Sequence, residues 1–370
     1  MGSKEPPLGA DLVRASVIVP VYNVEAYVGD CLASLLAQDV DGLEVVVVND
    51  GSTDSSREVV GAIAAADPRV RIIDKPNSGY GASLNRGLAE ARGAYVGILE
   101  SDDEMVDGAL PLLLQTADAM GADVVKGDYI LWWPTDETRT RQAHEVTADL
   151  CGALVDTRTD MRAYSIRSTI WSGLYRREHL EAHGIRFLET PGASYQDTSF
   201  NFKVFATSAR TAFTTSPVIR YRQDNASSSI HSKGKADAVG IEFDEIDRWL
   251  DERPDCVGHD ALVRQALIER FNAYLWNLDR LDDEVGLAFL TDAGAQFARF
   301  EESGRLDLST WDSWRVANLR ALQGDPKRYL RLRRRFRGDS AAAKARFALA
   351  LGGPAGLLSA VGEHFSRRAR

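Results

Sequence analysis

The sequence predicts an α/β protein: a mostly parallel sheet with helices on both faces, followed by a helical C-terminal region. Three observations carry this. Short apolar runs alternate with helix-period patterns through the first third of the chain. Leu43-Glu44-Val45-Val46-Val47-Val48 is the kind of continuous β-branched run that a sheet buries on both faces. The loop after each apolar run is polar, as expected where the carboxyl ends of parallel strands gather ligand-binding groups.

In chain order, Val17 to Val21 reads as the first strand, and Val24 to Ala37 as a helix. The valine run at 43–48 closes a β-α-β unit. A helix after Asp54, a strand at Val70 to Ile73 and a helix from Tyr80 to Ala91 repeat the pattern. Tyr95 to Leu99 is the next strand, Ala109 to Met120 a helix, and Asp123 to Lys126 a strand. Farther on, a strand is expected from Val218, and Ala238 to Leu250 and Ala261 to Leu281 carry helical packing faces. The expected organisation is a terminal stretch at 1–14, a catalytic-type domain at 15–235 with halves near 15–130 and 131–235, a helical region at 236–320 and a basic tail at 321–370.

The net charge of −10 argues against general nucleic-acid binding but hides an asymmetry. From Arg320 onward there are thirteen Lys and Arg against three Asp and Glu, about +10, which leaves about −20 on the preceding residues. The segment Lys327 to Arg337 interleaves basic and apolar residues, and the apolar stretch Ala341 to Ala360 that follows suits an anionic membrane surface, with a solvated helix, an oligomer contact or an RNA-binding arm as the other readings. No stretch reaches the roughly 20 apolar residues needed to span a bilayer, and the N-terminus lacks a signal peptide's apolar core. Cys31, Cys151 and Cys256 form no metal or disulfide pattern, and read as small core residues of a protein in a reducing compartment. The expected location is the cytoplasm, peripheral to the inner face of the cell membrane.

Four polar loops fall at one predicted sheet edge: Pro20 to Asn23, Asn49 to Asp54, Lys75 to Gly81, and Glu100 to Asp103. Taken singly, Ser52 or Asp54 is a helix cap and Asn77-Ser78-Gly79 a plain turn. Neither G-x-G-x-x-G nor G-x-x-x-x-G-K-[ST] occurs after the first strand, which disfavours a dinucleotide or P-loop site. The acids of Glu100 to Glu104 repel one another unless a cation sits among them, and an acidic pocket that holds a diphosphate needs such a bridge. Solvated acids favouring the start of the next helix are the alternative reading.

Val17 to Asn23 with Val47 to Asp54, then Gly79 to Gly87 and Glu100 to Asp103, resemble the nucleotide-sugar-binding half of family 2 glycosyltransferases of the GT-A, Rossmann-like fold, over roughly the first 130 residues. The resemblance implies that Pro20, Tyr22, Asn23 and Asp50 line the nucleobase and ribose pocket, Asp50 reading uracil. It implies that Asp102 is the metal ligand, with Glu100 where the family carries Asp on the ribose side. Lys75, Gly79, Asn85, Arg86 and Ser101 complete the expected donor set. In the later half, Gln196-Asp197 resembles the family's Glu-Asp pair, so Asp197 is the expected general base and Gln196 an acceptor-side contact. Trp171 is expected to stack on an acceptor sugar, Arg222 to reach the donor phosphates and His231 to join the metal.

The expected protein is an inverting glycosyltransferase that uses a divalent metal, magnesium or manganese, and moves a sugar from a nucleotide-sugar donor, UDP-linked by the resemblance at Asp50, to a glycan or lipid-linked acceptor in surface-polysaccharide assembly. No nucleic-acid partner is expected, and a homo-oligomer fits the same reading. Two alternatives stay open: a non-catalytic nucleotide-binding or scaffolding protein that retains the fold, or a transferase acting on a peptide or small natural product.

Overall fold

Strands β1 (Ala15–Val21) and β2 (Leu43–Asn49) are buried along their whole length and pair in parallel, Val17 opposite Val45 and Val19 opposite Val47. Each such buried valine contributes at least about 1.5 kcal/mol. The computed structural model describes residues 13–225, 237–338 and 340–368. The chain divides into two units, residues 1–231 and 232–370.

In the first unit, β3 (Val70–Asp74) pairs parallel with β2, and β4 (Tyr95–Ile98) pairs parallel with β1 on its other side. The order β3-β2-β1-β4 reverses direction at β1, and the crevice beyond the carboxyl ends of β1 and β4 is where open α/β sheets hold ligands. Helices α1 (Val28–Leu36), α2 (Ser56–Ala66) and α4 (Ala109–Met120) send Leu32, Leu35, Val60 and Leu113 into the core that holds Val17, Val19, Val45 and Val47. Alternation puts Ile18 on the opposite face, where Gly87 of α3 (Tyr80–Glu90) lies so close that a Cβ there would sit 2.4 Å from Ile18 Cγ2.

Beyond β4 the sheet is mixed. The strand β8 (Gly173–Arg176) runs antiparallel to β4 and to β6 (Val124–Trp132), so the segment leading into it, Thr169 to Ser172, reaches the edge where β4 ends. The long β9 (Thr211–Arg222) is parallel to β6, and the two-residue β5 (Glu104–Met105) pairs antiparallel with Arg220 and Ile219 of β9. That pairing holds the end of β9 beside the acidic loop after β4. A short β7 (Arg141–Gln142) edges β6, and α5 (Arg177–Ala182) and α6 (Gln196–Thr207) follow β8. Cys31 is buried as expected, whereas Cys151 and Cys256 are only half-buried.

The second unit is helical: α7 (Ala238–Asp251), α8 (His259–Leu278), α9 (Asp283–Glu302), α10 (Ser313–Gly324), α11 (Pro326–Arg335) and α12 (Ala341–Arg368), the last broken at Gly352 and Gly353. Its basic segment does not stand apart as a tail. Tyr329 is buried with its hydroxyl on Asn318, Phe347 meets Trp314 and Tyr329 edge-on, and Arg333 and Arg334 pair with Asp279 and Asp283. No helix among the described residues is long and apolar enough to cross a membrane.

Candidate active site

The loop after β1 presents Tyr22, 48% exposed, and Asn23 at a φ of 53°. Positive φ in a non-glycine residue is uncommon and needs local support. Here Asn23 Oδ1 accepts from Thr53 N at 2.8 Å, and Asn23 N donates to Ser52 Oγ at 3.2 Å, tying this loop to the one after β2. Pro20 is buried within β1 and opens no side chain to the crevice. Asp50, 5% exposed, accepts from Ser78 N at 2.9 Å and Gly79 N at 3.0 Å and forms an ion pair with Lys75. The Asp50 carboxylate and Lys75 are thus committed to each other and to the loop after β3.

Tyr80 opens α3 from the left-handed turn at Gly79 (φ 95°), and its hydroxyl donates to Glu100. The turn packs on residues 188–192: a Cβ at Gly81 would lie 1.9 Å from Leu188 O, and one at Gly79 3.0 Å from Thr190 O. Asn85 is spent on the same segment, its amide bonding Phe187 O and Glu189 at 2.9 Å each. Arg86 turns to Glu90 in an exposed i,i+4 pair. Neither Asn85 nor Arg86 therefore faces the crevice, against the donor-binding roles expected of them.

In the acidic loop after β4, Ser101 and Asp103 are buried and Asp102 is half-buried. Asn225 Nδ2 donates to Asp102 Oδ2 at 2.7 Å, and Arg222 Nε donates to the Asp102 carbonyl at 2.8 Å. Arg222 N donates to Asp103 Oδ1 at 2.8 Å. The Arg222 guanidinium lies over the Tyr27 and Trp132 rings at 5.0 and 4.5 Å, and its side chain is 9% exposed. So Arg222 holds the loop's backbone instead of reaching a donor phosphate. Burial and the neighbouring carboxylates push the Asp103 carboxyl well above the usual range, and its Oδ2 has no partner among the described residues. His231 lies outside the described residues.

Asp197 sits in the first turn of α6, after Tyr195 at a φ of 64°. Burial raises its carboxyl to about 6, against the pull of its own and Thr198's backbone N–H groups and of Arg167 and Lys126. Lys126, wholly buried on β6, is pushed down to about 7 by burial and donates to the Thr169 carbonyl. Glu100 is raised to about 8, first by burial and then by the charges of Asp102 and Asp197. The charges of both aspartates therefore act on the Tyr80–Glu100 pair. Gln196 is buried with its amide folded into the loop, bonding Ser194 N, Thr190 Oγ1 and Gly192 O, which removes it from the acceptor side. Trp171 is half-buried between Tyr129 and Tyr221, with ring centroids 4.9 and 5.0 Å away.

The sequence reading assigned no role to Tyr80, Lys126, Arg167 or Asn225. The close glycines Gly79 and Gly81 around Tyr80 were the signal for the first, and a lysine inside the apolar run Val124-Val125-Lys126 for the second. Nothing local distinguishes Arg167 or Asn225. Among the described residues no group of three or more His, Cys, Asp and Glu side chains could hold a metal ion. Asp102 is a single hard carboxylate oxygen donor, so a magnesium or manganese ion fits only where a bound diphosphate and water complete its shell.

Residues 16–186 match the family model described as glycosyl transferase family 2. The uncharacterized glycosyltransferase EpsJ of Bacillus subtilis is 29% identical over 212 residues, 56% of this chain and 61% of that one. The uncharacterized glycosyltransferase YibD of Escherichia coli is 30% identical over 227 residues, 60% of this chain and 65% of that one. The chain thus spans about three fifths of the length of these curated relatives. Among solved structures, residues 1–349 of S. aureus TarS in complex with UDP-GlcNAc superimpose with a TM-score of 0.66 at 19% identity, covering 90% of this chain and 95% of that one.

Proposed function

The chain belongs to glycosyltransferase family 2 through residues 16–186, and on that footing we propose that it is an inverting transferase moving a sugar from a UDP-linked donor to a hydroxyl of a glycan or lipid-linked saccharide. The observation that supports this best is Asp197: a carboxyl raised to about 6 by burial, at the start of a helix whose preceding segment packs on the α3 turn that carries Tyr80 and its bond to Glu100. A base of that strength is mostly ionised at neutral pH, yet more basic than an ordinary aspartate.

In the proposed reaction the acceptor oxygen attacks the anomeric carbon while its proton passes to Asp197. The bond from that carbon to the donor's diphosphate oxygen breaks, and its electron pair leaves with the phosphate. Tyr22 offers an exposed ring for the base, and Asn23 fixes the loop that carries it. Asp102, held by Asn225 and by Arg222, would bind the divalent ion. When bound, that ion neutralises charge on the leaving diphosphate. The UDP assignment is supported by TarS, which shares the fold and was solved with UDP-GlcNAc.

A membrane-bound acceptor accords with the second unit, where Lys327, Arg328, Arg331, Arg335, Arg337, Lys344 and Arg346 are exposed and form no ion pair among the described residues. Flotation with anionic vesicles checks this part: salt-sensitive binding supports it, and equal recovery with neutral vesicles contradicts it. For the whole reading, a thermal-shift screen of nucleotide sugars with manganese or magnesium is decisive. A UDP-sugar should raise the melting temperature further with the metal than without it, and no shift with any donor would overturn the proposal.

A further inference from the structure

Asp197 is set in place by a turn that needs support. Tyr195, two residues ahead of it, holds a φ of 64°, and its carbonyl accepts from Thr198 N at 2.9 Å to start α6. A non-glycine residue keeps that conformation only where its surroundings determine it. Here they include the side chain of Gln196, 1% exposed, which folds back over the turn. Its Oε1 accepts from Ser194 N at 2.5 Å, and its Nε2 donates to Thr190 Oγ1 at 2.9 Å and to Gly192 O at 3.1 Å.

The Gly192 carbonyl has a second donor. Tyr80 N, in the first turn of α3, reaches it at 3.2 Å, and the Tyr80 hydroxyl donates to Glu100. One backbone oxygen thus joins the residue beside the base to the residue that bonds Glu100. The two segments have little room to slide, since a Cβ at Gly79 would lie 3.1 Å from Gly192 N.

Only an amide satisfies this set. Ser194 N needs an acceptor, and Gly192 O needs a donor. A glutamate would keep the first, but would set a buried carboxylate against the Gly192 carbonyl and one residue from Asp197. Resting on the transferase reading with Asp197 as base, we infer that Gln196 is a positioning residue for that base, its neutral amide pinning the 190–195 turn to the first turn of α3.

Gln196→Met, of similar volume but without the amide, and Gln196→Glu test this in the full chain. Hydrogen exchange without any donor reads the turn alone. Gln196→Met should speed exchange about tenfold in the peptides that carry Ser194 and Tyr80, while β1 and β2 exchange as in the wild type. UDP release from UDP-GlcNAc and UDP-glucose with manganese reads the base: kcat should fall about 10- to 100-fold in both variants, with the KM of the sugar nucleotide unchanged. Gln196→Glu should also carry the acid limb of kcat/KM to higher pH than in the wild type, because a second carboxylate makes Asp197 hold its proton more tightly. Lys126 and Arg167, the cations felt at Asp197, are the same in both. The inference is overturned if exchange at Ser194 and Tyr80 is unchanged in Gln196→Met, if either variant keeps the wild-type kcat, or if the loss lies in KM alone. A wild-type chain that releases UDP from neither donor contradicts the transferase reading instead, and exchange then decides by itself whether Gln196 holds the turn.

Discussion

Asn225 and Asp102, 123 residues apart, are joined by a 2.7 Å hydrogen bond in which the asparagine amide donates to Asp102 Oδ2. Asn225 is 4% exposed and lies three residues past the end of β9, whose Arg222 grips the Asp102 carbonyl. Ligands are oriented by such outer partners, whose loss commonly weakens metal binding by about 10- to 100-fold. Asn225→Ala should therefore lower manganese affinity in the presence of UDP by about tenfold, while UDP binding without metal changes little. Calorimetric titration checks this; an unchanged manganese affinity would remove Asn225 from the site.

The raised carboxyl of Asp197 fixes the acid side of the pH profile. Burial is the leading cause, with Arg167 and Lys126 opposing it, and Tyr80 of α3 and Glu100 of the loop after β4 feel the Asp197 charge in turn. Protonation inactivates a general base, so kcat/KM should fall as pH drops through about 6. An acid limb near 4, where an ordinary aspartate titrates, would mean that another group is limiting.

The same shift works against stability. Because the folded state holds the Asp197 proton more tightly than the unfolded chain does, stability declines as pH rises from the unfolded value of 3.8 through about 6. Asp197→Asn carries no such cost, and should melt a few degrees higher than wild type at pH 7.5 but not at pH 4. Scanning calorimetry at the two pH values measures it, and a variant less stable than wild type at pH 7.5 would contradict the sign.

Gly81 couples the donor side to the base. An alanine Cβ there would stand 1.9 Å from the Leu188 carbonyl, so α3 or the 188–192 segment must move. Gly81→Ala should cost about 1–3 kcal/mol of stability. UDP release should fall further than that loss of folded protein explains, as a denaturant melt beside an activity assay would show.

The parallel half of the sheet was readable because Val45 to Val48 and Val17 to Val21 are continuous apolar runs, and no other element needs that pattern. The antiparallel β8 was not, since Gly173 to Arg176 is four residues long and its place between β4 and β6 depends on distant partners. The loop and helix positions of Tyr22, Asn23, Asp50, Asp102 and Asp197 were readable because each lies just after a strand or in the first turn of a helix. Arg222 could not be assigned correctly, because Tyr27 and Trp132, the rings that enclose it, lie 195 and 90 residues away. Asn85 and Gln196 likewise looked like ligand-binding polar residues, and turned inward to satisfy backbone groups that only the folded loop brings near.

The account stands on Asp197 taking the proton of the incoming hydroxyl, and the turnover of Asp197→Asn with the UDP-sugar that stabilises the protein tests it most directly. The variant should bind that donor and manganese as the wild type does and lose at least about 100-fold in UDP release. Release at the wild-type rate would contradict it.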